Sequence, residues 1–142
     1  MEQLHVDIST DMDGEAVVFA CFDLTEREIS ASARALASTV AERYRNPELS
    51  ADQVVELREL TALADEFGEL TGGMRTMVLR PARLATYHDA LAEFVDTREY
   101  SEWIRDDDRE PLAVIREMLW PLEQLRAEAT RAALSPESAT TD

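Results

Sequence analysis

The chain has 142 residues, enough for one domain with a sizeable core. Hydrophobic residues make up 45% of it, which sets aside a disordered chain, and 30 acidic against 14 basic residues give a net charge of -16, which argues against direct binding to a phosphate backbone. The single cysteine, Cys21, excludes an internal disulfide, and no apolar run approaches the ~18–20 residues of a membrane span.

The opening stretch MEQLHVDIST lacks the basic and apolar regions of a signal peptide, so a cytoplasmic protein is expected. Within it Leu4, Val6 and Ile8 alternate with His5, Asp7 and Ser9, the period of a half-buried strand. Asp13-Gly14 marks a turn, and EAVVFACF over 15–22 is apolar on both faces, which suits a central strand paired to the first.

A helix starts next with two local devices. Thr25 and Glu28 have the spacing of a capping box, and Leu24 with Ile29 that of a hydrophobic staple. Ile29, Ala33, Leu36, Val40 and Tyr44 extend an apolar stripe as far as Asn46-Pro47. Ser50 with Gln53, and Leu49 with Val54, repeat both devices for a second helix, whose stripe is Leu57, Leu60, Ala64 and Phe67 and whose stop is Gly72-Gly73. The short link predicts an antiparallel helix pair.

MRTMVL over 74–79 reads as a third strand, antiparallel to the second, which then lies in the middle of the sheet. A third helix follows with Pro81 in its first turn and Leu84, Tyr87, Leu91 and Phe94 or Val95 as its stripe. RDDDREP is read as a polar break with Asp108 as a cap. The last helix is expected from about 111 to 134, kinked or broken at Pro121. A shift of 55 residues lays Leu24 on Leu79, Ile29 on Leu84, Leu36 on Leu91 and Val40 on Val95. The expected fold is therefore α+β, a three-stranded antiparallel sheet packed against four helices; the overlay fits two β-α-α units behind an extra leading strand, and it fits equally the general phase of any strand followed by an amphipathic helix. One compact domain would span 1–134, with a disordered tail over 135–142.

Chemistry is sparse. The histidines and the cysteine stand at 5, 88 and 21, so neither a metal centre nor a cofactor is expected, although His5 and Cys21 sit in paired strands. Cys21 reads as a small buried hydrophobe. His88 lies beside Asp89 and near Glu93, but adjacent helical residues point about 100° apart, so no oriented dyad follows, and His88 is expected to flank the core. No catalytic residue is assigned. Two binding features stand out. Arg80 and Arg83 occupy the positions of the lost capping box on the third helix, with Arg75 just before them, a basic spot suited to an anion. Trp103, Trp120 and Met118 cluster around the acidic break and the last helix, whose apolar face Met118 and Leu125 widen, which suggests an interface and a homodimer.

The strong acidity fits solubility, a salt-rich cytoplasm or a basic partner met by electrostatic steering. The leading expectation is a small non-enzymatic protein–protein interaction module. An antitoxin, immunity protein or nucleic-acid mimic would exploit the same charge. A small-molecule or anion-binding protein or enzyme would instead use Arg75, Arg80, Arg83 and His88.

Overall fold

The computed structural model describes residues 1–70, 72–99 and 104–134. The expected tail over 135–142 and the expected interface residue Trp103 lie outside them. Two strands, β1 (Glu2–Thr10) and β2 (Ala16–Leu24), lead into helices α1 (Glu26–Tyr44) and α2 (Ala51–Glu69); β3 (Arg75–Leu79), α3 (Pro81–Glu99) and α4 (Asp106–Leu134) complete the α+β fold. The sheet is antiparallel in the order β1-β2-β3. At the hairpin turn the Asp11 carboxylate accepts from the backbone N–H groups of Asp13 and Glu15, and Gly14 supplies the positive φ of 83°.

Both expected capping boxes are formed. Thr25 accepts from the Glu28 N–H and Glu28 reaches back to the Thr25 N–H; Ser50 and Gln53 do the same for α2. Each satisfies two of the N–H groups a helix start leaves unpaired. Thr25→Ala and Ser50→Ala are each expected to lower stability by about 1 kcal/mol, read as a shift in the denaturant midpoint with an unchanged slope. The second helix ends earlier than the glycine pair suggests: Leu70 is already extended, and Gly72, at φ 86°, turns the chain into β3.

The 55-residue offset extends through the whole repeat. It carries the limits of α1 onto those of α3, the start of α2 onto that of α4, and the end of β2 onto that of β3. Leu57, Leu60, Leu63 and Phe67 of α2 map onto Leu112, Ile115, Met118 and Leu122 of α4, and all eight are buried. The segments over 35–43 and 90–98 share the pattern Ala-Leu-Ala-x-x-Val-x-x-Arg. Strand pairing obeys the same exchange: Ala20 pairs with Leu79 and Leu24 with Arg75, while Phe22 and Met77 pair with each other. So do side-chain bonds. Arg43 donates to Glu93 across α1 and α3, and its counterpart Arg98 donates to Ser38. Ser32 and Tyr87, 55 residues apart, bond to each other at 2.6 Å. The two β-α-α units therefore face each other across an approximate twofold axis between Phe22/Met77 and Ser32/Tyr87.

That axis explains why α1 is rolled away from its expected stripe. Ile29 and Leu36 are buried as expected, but so are Ala31, Ser32, Ala35 and Thr39, while Tyr44 is exposed. Small residues let α1 approach α3 closely enough for Ser32 to meet Tyr87 and for the Thr39 hydroxyl to reach the Ala90 carbonyl at 3.4 Å. A hydrophobicity stripe overlooks such a face because closeness, not apolar bulk, selects its residues.

The leading strand breaks the symmetry, and α4 compensates. Its 29 residues exceed the 19 of α2. In the extension Leu125, Ala129 and Ala132 are buried, and partly buried Leu4 and Val6 of β1 pack against the same core. Two expectations about α4 are corrected. The acidic run is its first turn and not a break, because Asp106, Asp107 and Asp108 face the positive end of the helix dipole. Asp108 is not a cap but the third helical residue. The helix also runs unbroken through Pro121, with Pro111 a second proline inside it. Each proline removes one intrahelical bond, and packing holds the remaining turns in place.

Candidate functional site on the open face of the sheet

The strand residues that pack against the helices all lie on one side of the sheet, and among the described residues the other face is open. Its residues alternate with the core positions: His5, Asp7 and Ser9 on β1, Val17, Phe19, Cys21 and Asp23 on β2, Thr76 and Val78 on β3. Val78 is 55% exposed. Arg80 lies with its guanidinium 5.6 Å from the centre of the Phe19 ring, and Thr76 donates to Asp23 at 2.6 Å.

Register brings three chemistry-bearing side chains together here. His5 stands opposite Cys21 in the β1–β2 ladder, and Asp7 follows His5 by one strand repeat. His5 Nε2 is 3.5 Å from Asp7 Oδ2, and the Cys21 thiol points to the same oxygen at 3.7 Å. The three ligand atoms lie within 4.8 Å of one another. A backbone irregularity holds His5 in this pose. The ladder slips by one residue between Glu2 and His5, and within the slip Gln3 takes a φ of 56°. Its carbonyl is thereby aimed at His5 Nδ1, 2.7 Å away. A bulge commonly re-aims a side chain in this way.

Electrostatics argue against a nucleophile. The Gln3 carbonyl, and more weakly the Asp7 carboxylate, hold the His5 imidazole above its ordinary value. Burial and then the neighbouring Asp7 push the Cys21 thiol up. A nucleophilic cysteine needs the opposite shift and a base in direct contact. Here the carboxylate stands between thiol and imidazole, the wrong order for His5 to take the thiol proton. As a set of nitrogen, oxygen and sulfur donors, the same three groups converge on one point.

The residues expected from the sequence are placed as follows. Arg83 pairs with Glu66 at 3.1 Å, turned toward α2, whereas Arg80 lies over Phe19 on the open face. The two are thus committed to different partners, and Arg75, which also has a partner of its own, precedes them on β3. His88 does flank the core. Arg126 of α4 donates to His88 Nδ1 at 3.1 Å and to the Asp89 carboxylate at 2.6 Å, which ties α3 to α4. Burial and then the Arg126 charge hold the His88 imidazole below its ordinary value. Of the residues widening α4, Met118 and Leu125 belong to the core, because α4 meets α1, α3, β1 and β2. Trp120 alone among the described members of that set is outside, at 69% exposure.

The cavity between the starts of α1 and α4 measures about 850 Å³ and is lined by both signs of charge, with Arg27 already joined to Glu110 at 2.8 Å. Among the described residues, no helix is long and apolar enough to cross a membrane. No family model, curated protein or solved structure matches the chain.

Proposed function

We propose that the chain is a small acidic interaction module, acting by binding and not by catalysis, and that it works as a homodimer through the outer face of α4. The observation that carries the reading is Trp120, which stands 69% exposed in the middle of that helix. Tryptophan is enriched among the few residues that carry most of the binding energy of protein interfaces. Beside the indole lies a shallow hollow of about 370 Å³, lined by Leu4, Pro121, Gln124, Leu125, Glu128 and Arg131. A projection next to a hollow on one surface is self-complementary under a twofold, since each copy can fill the other.

Charge favours the same face. Over 112–134 the helix carries three arginines and three glutamates, so this stretch is neutral in a chain of net charge -16. Two copies can meet there without the like-charge repulsion that the remaining surface imposes. The acidic remainder stays free for a basic protein partner, and the antitoxin or immunity reading rests on that charge alone. A cytoplasmic setting accords with the free thiol of Cys21.

The test uses fluorescence. In a Trp103→Phe chain Trp120 is the one remaining indole. Its emission is expected to shift to shorter wavelength as concentration rises through values on the order of micromolar, as the ring leaves water. A solvent-exposed emission at every concentration speaks against dimerisation through α4.

A further inference from the structure

We propose that His5, Asp7 and Cys21 form a binding site for a divalent transition-metal ion of the zinc class on the open face of the sheet. Geometry is the first support. Metal–ligand bonds of about 2.0–2.3 Å, set at tetrahedral angles, place neighbouring donor atoms roughly 3.3–3.7 Å apart. The His5–Asp7 and Cys21–Asp7 separations are 3.5 and 3.7 Å, and the widest of the three stays within 4.8 Å.

The second support lies outside the three ligands. A metal-binding imidazole characteristically donates its other ring N–H to a carbonyl or carboxylate, which fixes the tautomer and the ring orientation. His5 Nδ1 is 2.7 Å from the Gln3 carbonyl, so in the neutral ring that donates there the Nε2 lone pair faces Asp7 and Cys21. That carbonyl is in place because Gln3 adopts a left-handed conformation uncommon for a residue with a side chain. The strain is local to the site it serves.

Donor chemistry then selects the ion. A thiolate, an imidazole and a carboxylate suit zinc, cobalt, nickel or copper; magnesium and calcium prefer all-oxygen shells. Carboxylate and thiolate balance a divalent charge, and Asp23, near enough to act on His5, adds negative field. The side chains of His5 and Asp7 are 53% and 65% exposed, so an ion has direct access from solvent. Three protein donors leave a fourth position open, as in zinc sites that hold a water or a ligand from another molecule. On binding, the Cys21 proton leaves to solvent, and the sulfur bonds to the metal.

Zinc titration of the 142-residue chain by calorimetry, paired with cobalt titration by absorption, tests the site. One ion per chain is expected, with a sulfur-to-cobalt charge-transfer band in the near ultraviolet. His5→Gln, at an exposed position where folding is not at risk, is expected to weaken zinc about tenfold or more, and Cys21→Ser to abolish the band. Gln3→Gly keeps the carbonyl, relieves the strain and should retain binding. Cobalt binding without the band, or zinc affinity unchanged by His5→Gln, would mean an adventitious ion only on an acidic surface, and the proposal would fall.

Discussion

Asp108→Ala is expected to destabilise the fold by about 3–5 kcal/mol. The carboxylate is the third residue of α4, the place Gln53 holds in α2. Gln53 caps its own helix, whereas Asp108 reaches across the core, accepting from Arg34 of α1 at 3.0 Å and from Arg98 of α3 at 3.4 Å. Arg98 also donates to Glu42 and Ser38 and lies 4.2 Å from the centre of the Phe94 ring. Asp108 is only 4% exposed. Removing it takes away one of the two carboxylates paired with the Arg98 guanidinium, 15% exposed, and leaves Glu42 to balance that charge at the meeting point of three helices. The solvent-facing Arg27–Glu110 pair is the control: Glu110→Ala should cost less than about 1 kcal/mol. Chemical denaturation of both variants checks the contrast, and equal losses would show that Asp108 is not a junction.

Tyr87→Ala is expected to cost about 3–5 kcal/mol, the range for deleting a fully buried aromatic ring. The ring stacks between Phe22 and Phe67, with centroid distances of 6.1 and 5.0 Å, and its hydroxyl bonds to Ser32. It sits on the approximate twofold, so its loss opens a cavity between both units. Tyr87→Phe keeps the ring but leaves Ser32 without this partner, a loss of about 1–2 kcal/mol. The two substitutions also differ in pH dependence. Burial pushes the Tyr87 hydroxyl far above the ordinary tyrosine value, against a smaller opposing effect of the Ser32 bond. The folded pKa is thus above the unfolded one, so the contribution is complete below about pH 10 and declines as pH rises beyond it. Denaturation midpoints over roughly pH 8 to 11 should fall more steeply for the native chain than for Tyr87→Phe. Parallel curves would contradict the assignment.

Much of this architecture is legible from side-chain spacing. The capping boxes at Thr25 and Ser50 are local, so three or four residues suffice to recognise them, and the β1 alternation is equally direct. The 55-residue repeat is legible because each copy is a strand end, a helix start and a stripe in one phase. What escaped depends on tertiary contact. Asp108 in an acidic run looks like a loop or cap, because nothing local says that Arg34 and Arg98 converge on it. The small-residue face of α1 is invisible until α3 is placed against it. At the open face, alternation puts His5 and Asp7 together, but β2 is apolar on both sides and leaves the facing of Cys21 undetermined. The β1–β2 register settles it, and register is set by the turn and by the core pattern together. The width of the α4 stripe misled in the other direction: Met118 and Leu125 are consumed by the chain's own sheet and helices, and of the described residues in that expected interface Trp120 projects.

The most direct test of the interaction reading is the solution mass of the native chain beside that of Trp120→Arg, by light scattering at concentrations on the order of tens of micromolar. The native protein is expected at twice the 16.0 kDa chain mass and the variant at a single chain mass. A native protein of one chain mass, or a dimer that Trp120→Arg leaves intact, would contradict it.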